Sequence, residues 1–131
     1  MSFETITNLI TTKVSDVMDA NSYVVRYDND PRDTPVEDYW CHVSLAYGSS
    51  DQIELGTPLY RHPGILTIMV KGPIGTGVGE CLKRADILAE AFRSLTLGGY
   101  IKFRTPRIEN VCRIGDNWNV NIICPFYADE N

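Results

Sequence analysis

Few residues in this chain carry the chemistry a catalytic or metal site needs, and their spacing assembles none. The soft ligands are His42 and His62 together with Cys41, Cys81, Cys112 and Cys124. Cys41-His42 offers two adjacent donors, but no CxxC pair stands near it and a tetrahedral site would need donors from elsewhere. The four thiols read as reduced, mostly buried small hydrophobes. His62 precedes Pro63 and could act as a base, yet no serine or cysteine stands beside it in a nucleophile motif. Asp28, Asp30, Asp33, Glu37 and Asp38 crowd one short stretch. Asp28-Asn29-Asp30 offers oxygens to a divalent cation, but the glycine and closing glutamate of a calcium loop are missing. Punctuated by Pro31 and Pro35, this stretch reads as an acidic, solvated surface loop. No catalytic, cofactor-binding or metal-ligating residue is assigned.

The remaining chemical candidate is the run Gly72-Pro73-Ile74-Gly75-Thr76-Gly77-Val78-Gly79, placed between a strand and a helix where a phosphate loop would sit. A phosphate loop needs lysine and then serine or threonine after its last glycine, whereas Gly77 is followed by Val78-Gly79. The spacing is GxGxG, not GxGxxG, and no acidic residue about 20 positions on sits at a clean strand end. Nucleotide binding through residues 72–79 therefore stands as an alternative. The favoured reading is a connector that reverses the chain onto the sheet or meets a neighbouring subunit.

The elements that would position these residues follow from periodicity. Phe3, Ile6, Leu9, Ile10, Val14, Val17 and Met18 predict a helix over 3–18, with Ser2 as its N-cap. Tyr23–Tyr27 predicts a short strand. In Tyr39–Tyr47 the odd residues Tyr39, Cys41, Val43, Leu45 and Tyr47 form the better core face. Gly48–Asp51 turns the chain, and Gln52–Gly56 returns as a hairpin that could project as an arm. Ile65–Val70 is a continuous apolar, β-branched run and predicts a buried strand, with Arg61–Gly64 leading into it. Cys81, Leu82, Ala85, Leu88, Ala89, Phe92 and Leu95 form one stripe of a helix over 80–95, ended by Gly98-Gly99. Strands are expected over 100–104 and 118–126, with weak alternation over 107–113 and a turn at Gly115-Asp116-Asn117. Asp129-Glu130-Asn131 reads as a polar tail. A strand feeding a one-sided helix implies a sheet packed by helices.

The totals fit one domain spanning 1–131. Hydrophobic residues make up 44%, ordinary for a globular chain. No apolar run approaches the ~20 residues of a spanning helix, so no membrane partner is expected. The opening residues lack a signal core, implying synthesis in the cytoplasm. The net charge of −5 argues against a nucleic-acid affinity domain.

Several short runs follow one another in a particular order. They are Tyr60-Arg61-His62-Pro63-Gly64-Ile65-Leu66-Thr67-Ile68, Pro73-Ile74-Gly75-Thr76-Gly77, and Ala85-Asp86-Ile87-Leu88-Ala89 with Phe92-Arg93. Next come Ile101-Lys102-Phe103 with Pro106, Trp118-Asn119-Val120-Asn121, and Pro125-Phe126. Together they resemble the tail terminator-like proteins of long-tailed phages and prophages, and Met1–Ile6 is similar too. The resemblance is strongest over 60–126 and weakest over 20–58.

It implies an α+β domain with a mostly antiparallel sheet and two helices on one face. It also implies a virion protein of the tail or neck: a ring of six copies that caps the tail tube, stops its polymerisation and offers a joining surface to a neck or head-completion protein. No enzyme activity or cofactor is implied. The alternatives are another neck or head–tail connector ring, a small nucleotide-binding protein, and a monomeric adaptor. A ring requires one patch to meet a different patch on the next copy. The 48–60 hairpin and the 71–79 loop are the expected contacts, through Gln52, Glu54, Arg61, His62, Pro73, Thr76 and Val78. Six times the chain's charge of −5 would let DNA pass the lumen without specific binding, because phosphate contacts drive such affinity.

Overall fold

Two long antiparallel strands, β4 (Tyr60–Pro73) and β8 (Asn117–Glu130), form the spine of the fold in a computed structural model. Every residue of one pairs with a residue of the other, from Tyr60 opposite Glu130 to Pro73 opposite Asn117. The structure describes residues 3–33, 38–48, 51–52, 60–75, 77, 79–115 and 117–130, without the side chains of 51, 52, 110, 111 and 130. Ser2, the expected N-cap, lies outside them. The other elements are α1 (Phe3–Ala20), β1 (Val25–Tyr27), β2 (Trp40–Tyr47), β3 (Asp51–Gln52), α2 (Gly79–Phe92), β5 (Thr96–Leu97), β6 (Ile101–Phe103) and β7 (Arg107–Ile114). Among the described residues the sheet runs β1-β2-β4-β8-β6-β5, with β3 beside β4 and β7 also beside β8. Among the described strands only β1 and β2 pair in parallel. The architecture is α+β with a mostly antiparallel sheet, as expected.

Both helices cover the same face. α1 turns Ile6, Ile10, Val14 and Met18 inward, and α2 turns Cys81, Ala85, Leu88, Ala89 and Phe92 inward. They meet Cys41 and Val43 of β2, Leu66, Ile68 and Val70 of β4, and Val120, Ile122, Cys124 and Phe126 of β8 in one cluster. Each such large side chain contributes roughly 1.5–3 kcal/mol by leaving water. The odd face of β2 supplies its core residues, as its alternation predicts. α1 stops where Ser22 takes a left-handed backbone (φ 57). There Tyr23 N–H donates to Met18 O at 2.8 Å and the Asn21 amide to Val17 O at 2.9 Å.

Three expectations are corrected. First, Arg61–Gly64 is part of β4 and not a lead-in. Pro63 O accepts from Gly48 N–H at 2.9 Å, so the proline nitrogen also faces the β2 side. β2's last pair is Tyr47 with Gly64, so the missing N–H gives up only the reciprocal bond to Gly48, just past the end of β2. Second, α2 ends at Phe92, not Leu95. Ser94 takes φ 53, and Leu95 O accepts from Phe103 N–H at 2.8 Å. Gly98 and Gly99, with φ of 59 and 80, instead make the tight turn between β5 and β6. Third, Asp129 and Glu130 belong to β8, held by the ladder to Arg61 and Tyr60.

Candidate functional site

The face of the sheet opposite the helices has no described element over it. Strand alternation puts Ser44 and Ala46 of β2, Ile65, Thr67 and Met69 of β4, and Asn121, Ile123 and Pro125 of β8 on that face, in register. Ile65 is 41% exposed. The apolar, β-branched run 65–70 predicts a buried strand. Here Leu66, Ile68 and Val70 are buried, while Ile65, Thr67 and Met69 are exposed or half-buried. An open apolar groove of about 350 Å³ lies on this surface, lined by Ala46, Pro63, Ile65, Pro125 and Tyr127 and flanked by Arg61 and Arg104. Periodicity points to this surface in part, because Pro63, Ile65 and Met69 among the outward positions of β4 are apolar.

Polar residues interrupt it in two places. Arg61 makes a two-point ion pair with Asp129, Nε to Oδ1 at 2.8 Å and Nη2 to Oδ2 at 3.0 Å. Those bonds hold the Asp129 carboxyl below its usual range. The Arg61 and Arg104 guanidiniums stack on Tyr127, at 4.1 and 5.1 Å from the ring centre. Further along, Lys71 donates to Asn119 Oδ1 at 3.2 Å and lies 5.6 Å from the Trp40 ring centre. Burial pushes the Lys71 ammonium down. Asn119 is fully buried. Trp40 Nε1, Asn119 Nδ2 and Asn121 Oδ1 are buried without hydrogen-bond partners, which is uncommon in finished interiors.

The expected contact residues fall at two separate places. Gln52 pairs through its backbone with Tyr60, next to Arg61 and His62. His62 faces the helix side and packs edge-on against Phe3, with ring centres 5.3 Å apart. Pro73 ends β4 opposite Asn117, twelve residues from Arg61 and so ~40 Å away at ~3.3 Å per residue. Glu54, Thr76 and Val78 lie outside the described residues. The structure thus joins Gln52, Arg61 and His62 and sets Pro73 apart.

The other chemical candidates separate as well. Cys41 is fully buried while His42 lies on the outer face, so the adjacent pair cannot share a ligand. Asp28 accepts from Ser44 Oγ at 2.7 Å and meets His42 Nε2 at 2.9 Å. Asp30 accepts Tyr27 N–H at 3.2 Å and pairs with Arg32. Among the described residues no group of three histidines, cysteines or carboxylates is placed to hold a metal. No described helix is long and apolar enough to cross a membrane. In the glycine run, Gly75 and Gly77 take φ of 87 and 81, and they border a hollow with Ile74, Arg113 and Trp118.

Among the described residues, then, the helices cover one face of the sheet, and the other carries partly exposed Ile65, Met69, Ile123 and Pro125 beside the buried Asn119. The chain belongs to the phage tail terminator family: the model of a family described as phage tail terminator protein matches residues 5–125. That makes it a structural protein of the phage tail. A solved structure 18% identical superposes with a TM-score of 0.76 over 100% of this chain and 97% of its own, a likeness of fold. No curated protein matches the sequence.

Proposed function

We propose that the whole chain acts as one domain that forms a six-membered ring on the end of the phage tail tube. The ring ends tube polymerisation and presents its other side to a neck or head-completion protein, with DNA passing through the lumen. The observation that carries this reading is the open apolar sheet face of Ile65, Met69, Ile123 and Pro125 in a chain of this family. A surface of that kind calls for protein cover. The two ends of the β4–β8 ladder suit two neighbours in a stack. One end carries Gln52, Arg61 and His62, and the other carries Pro73 and the glycine run. Neither place asks for catalysis or a cofactor.

The test is light scattering with negative-stain imaging, on the protein alone and with purified tail tubes. Rings of about six times 14.7 kDa and tubes that stop elongating support the proposal. A protein that stays monomeric with tubes present and leaves their growth unchanged refutes it.

A further inference from the structure

The two outer edges of the sheet carry opposite charge, and we infer that copies of this chain join head to tail through them, β7 of one copy against the β1 side of the next. This rests on the ring reading above and assigns its subunit contact.

β7 is an eight-residue edge strand with no described partner beyond it. Charged side chains and a bulge guard such an edge against indiscriminate pairing, so a partner must match its charges. β7 exposes Ile108 and Ile114, at 37% and 52%, apolar side chains that a partner would cover. Its bulge between Glu109 and Cys112 adds local twist. The charges on and leading into this strand are Arg104, Arg107 and Arg113 against Glu109, all exposed. Arg107 pairs with Glu109 at 2.6 Å, which leaves Arg104 and Arg113 in excess.

The opposite edge is β1 with the acidic loop that follows it. Asp28, Asp33 and Asp38 are exposed there. Arg32 is engaged by Asp30, and Arg26 is tied to the backbone through Asp33 O at 2.9 Å and Val25 O at 2.8 Å. Asp28, Asp30, Asp33 and Asp38 outnumber Arg26 and Arg32, so this edge carries net negative charge. Beside it a shallow hollow of about 260 Å³ is lined by Arg26, Asn29, Trp40 and His42, with room for incoming side chains.

Opposite edges attract, and like edges repel. Symmetric pairing of two β7 edges would bring two net positive edges together, whereas β7 against β1 sets a net positive edge against a net negative one. That is a heterologous contact, the kind that closes into a ring. Acids gathered at this contact serve subunit pairing, not the lining of a lumen.

A charge swap tests the assignment. R107E/R113E makes both edges of a chain acidic, and D28K/D33K makes both edges basic. Each variant alone should need at least tenfold more protein to form rings, on tubes or in solution. Mixed one to one they should form rings again, alternating around an even-numbered ring, and so should one chain carrying all four changes. Asp33→Asn, confined to an exposed carboxylate, should weaken assembly less and lower its salt dependence. Reversed variants that assemble alone as the parent does would overturn the edge assignment and leave the ring reading standing. Failure of both the mixture and the four-change chain to regain rings would overturn it too. A parent that forms no rings even on tubes would bring down both.

Discussion

Gly64→Ala is the sharpest probe of how the β4–β8 spine is packed. Gly64 lies on the core face of β4, opposite Phe126. A Cβ at that position would stand 2.3 Å from Phe126 Cζ, 2.8 Å from Cε1 and 2.9 Å from Cε2. The ring has little freedom to retreat. It is 2% exposed, with the Phe103 ring centre at 5.3 Å and the Tyr47 ring centre at 6.1 Å. Backbone strain plays no part, because Gly64 is not among the positive-φ residues. Overpacking usually costs about 1–3 kcal/mol, and three close ring atoms place this change near ~3 kcal/mol. At ~2.1 cal/mol/K per residue that lowers the melting temperature by about 11 °C. Urea unfolding followed by circular dichroism measures it. Phe126→Leu removes the offending ring edge, so G64A/F126L should lose less than the sum of the two single changes, by at least ~1 kcal/mol. A G64A variant within ~0.5 kcal/mol of the parent, or strictly additive losses, would refute the packing argument.

Other expected outcomes are as direct. Gly75→Ala should cost only the ~1–2 kcal/mol of a left-handed backbone, since nothing lies within 4 Å of its Cβ position; a calorimetric loss as large as that of G64A would contradict this. Phe92→Ala should cost about 3–5 kcal/mol in urea unfolding, because Phe92 is fully buried under α2. The lowered Asp129 carboxyl holds its proton less tightly folded than unfolded. Its pair with Arg61 therefore stabilises the fold above the ordinary carboxylate pKa of ~3.9, and that stability is lost as pH falls through the lower folded value. Asp129→Asn should cost under ~1 kcal/mol at neutral pH, given partial solvent screening, and should flatten the acid limb of a stability–pH profile; an unaltered limb would count against the pair. Burial pushes the Cys41 and Cys124 thiols up to about 12, and Cys81 is buried as well. Iodoacetamide on the native protein should therefore label Cys112 first, read by peptide mass spectrometry; early labelling of Cys41 would show that the core opens.

Much of this protein was legible in its sequence, because local physics decides it. The apolar stripes of α1 and α2 repeat at helical spacing, and a one-sided helix must lie on something apolar. The odd positions of β2 alternate cleanly enough to name their own core face. The order of short runs from Tyr60 to Phe126 was enough to suggest the family. Tertiary structure alone decided the rest. Pro63 and Gly64 read as a break, yet they lie within β4, because the proline nitrogen points past the end of β2 and Gly64 makes room for Phe126. Gly98-Gly99 read as a helix cap, yet pairing of β5 with β6 claims those glycines for a turn. The run Ile65–Val70 read as a buried strand, yet among the described residues the helices cover only the face of Leu66, Ile68 and Val70. Arg61 and Asp129, 68 residues apart, pair only because β4 and β8 run antiparallel in one register. The opposite charge of the two sheet edges likewise exists only once strand order has carried Asp28 and Arg113 to opposite sides. Spacing along a chain reports local periodicity, whereas faces, edges and cross-strand partners are properties of the assembled sheet.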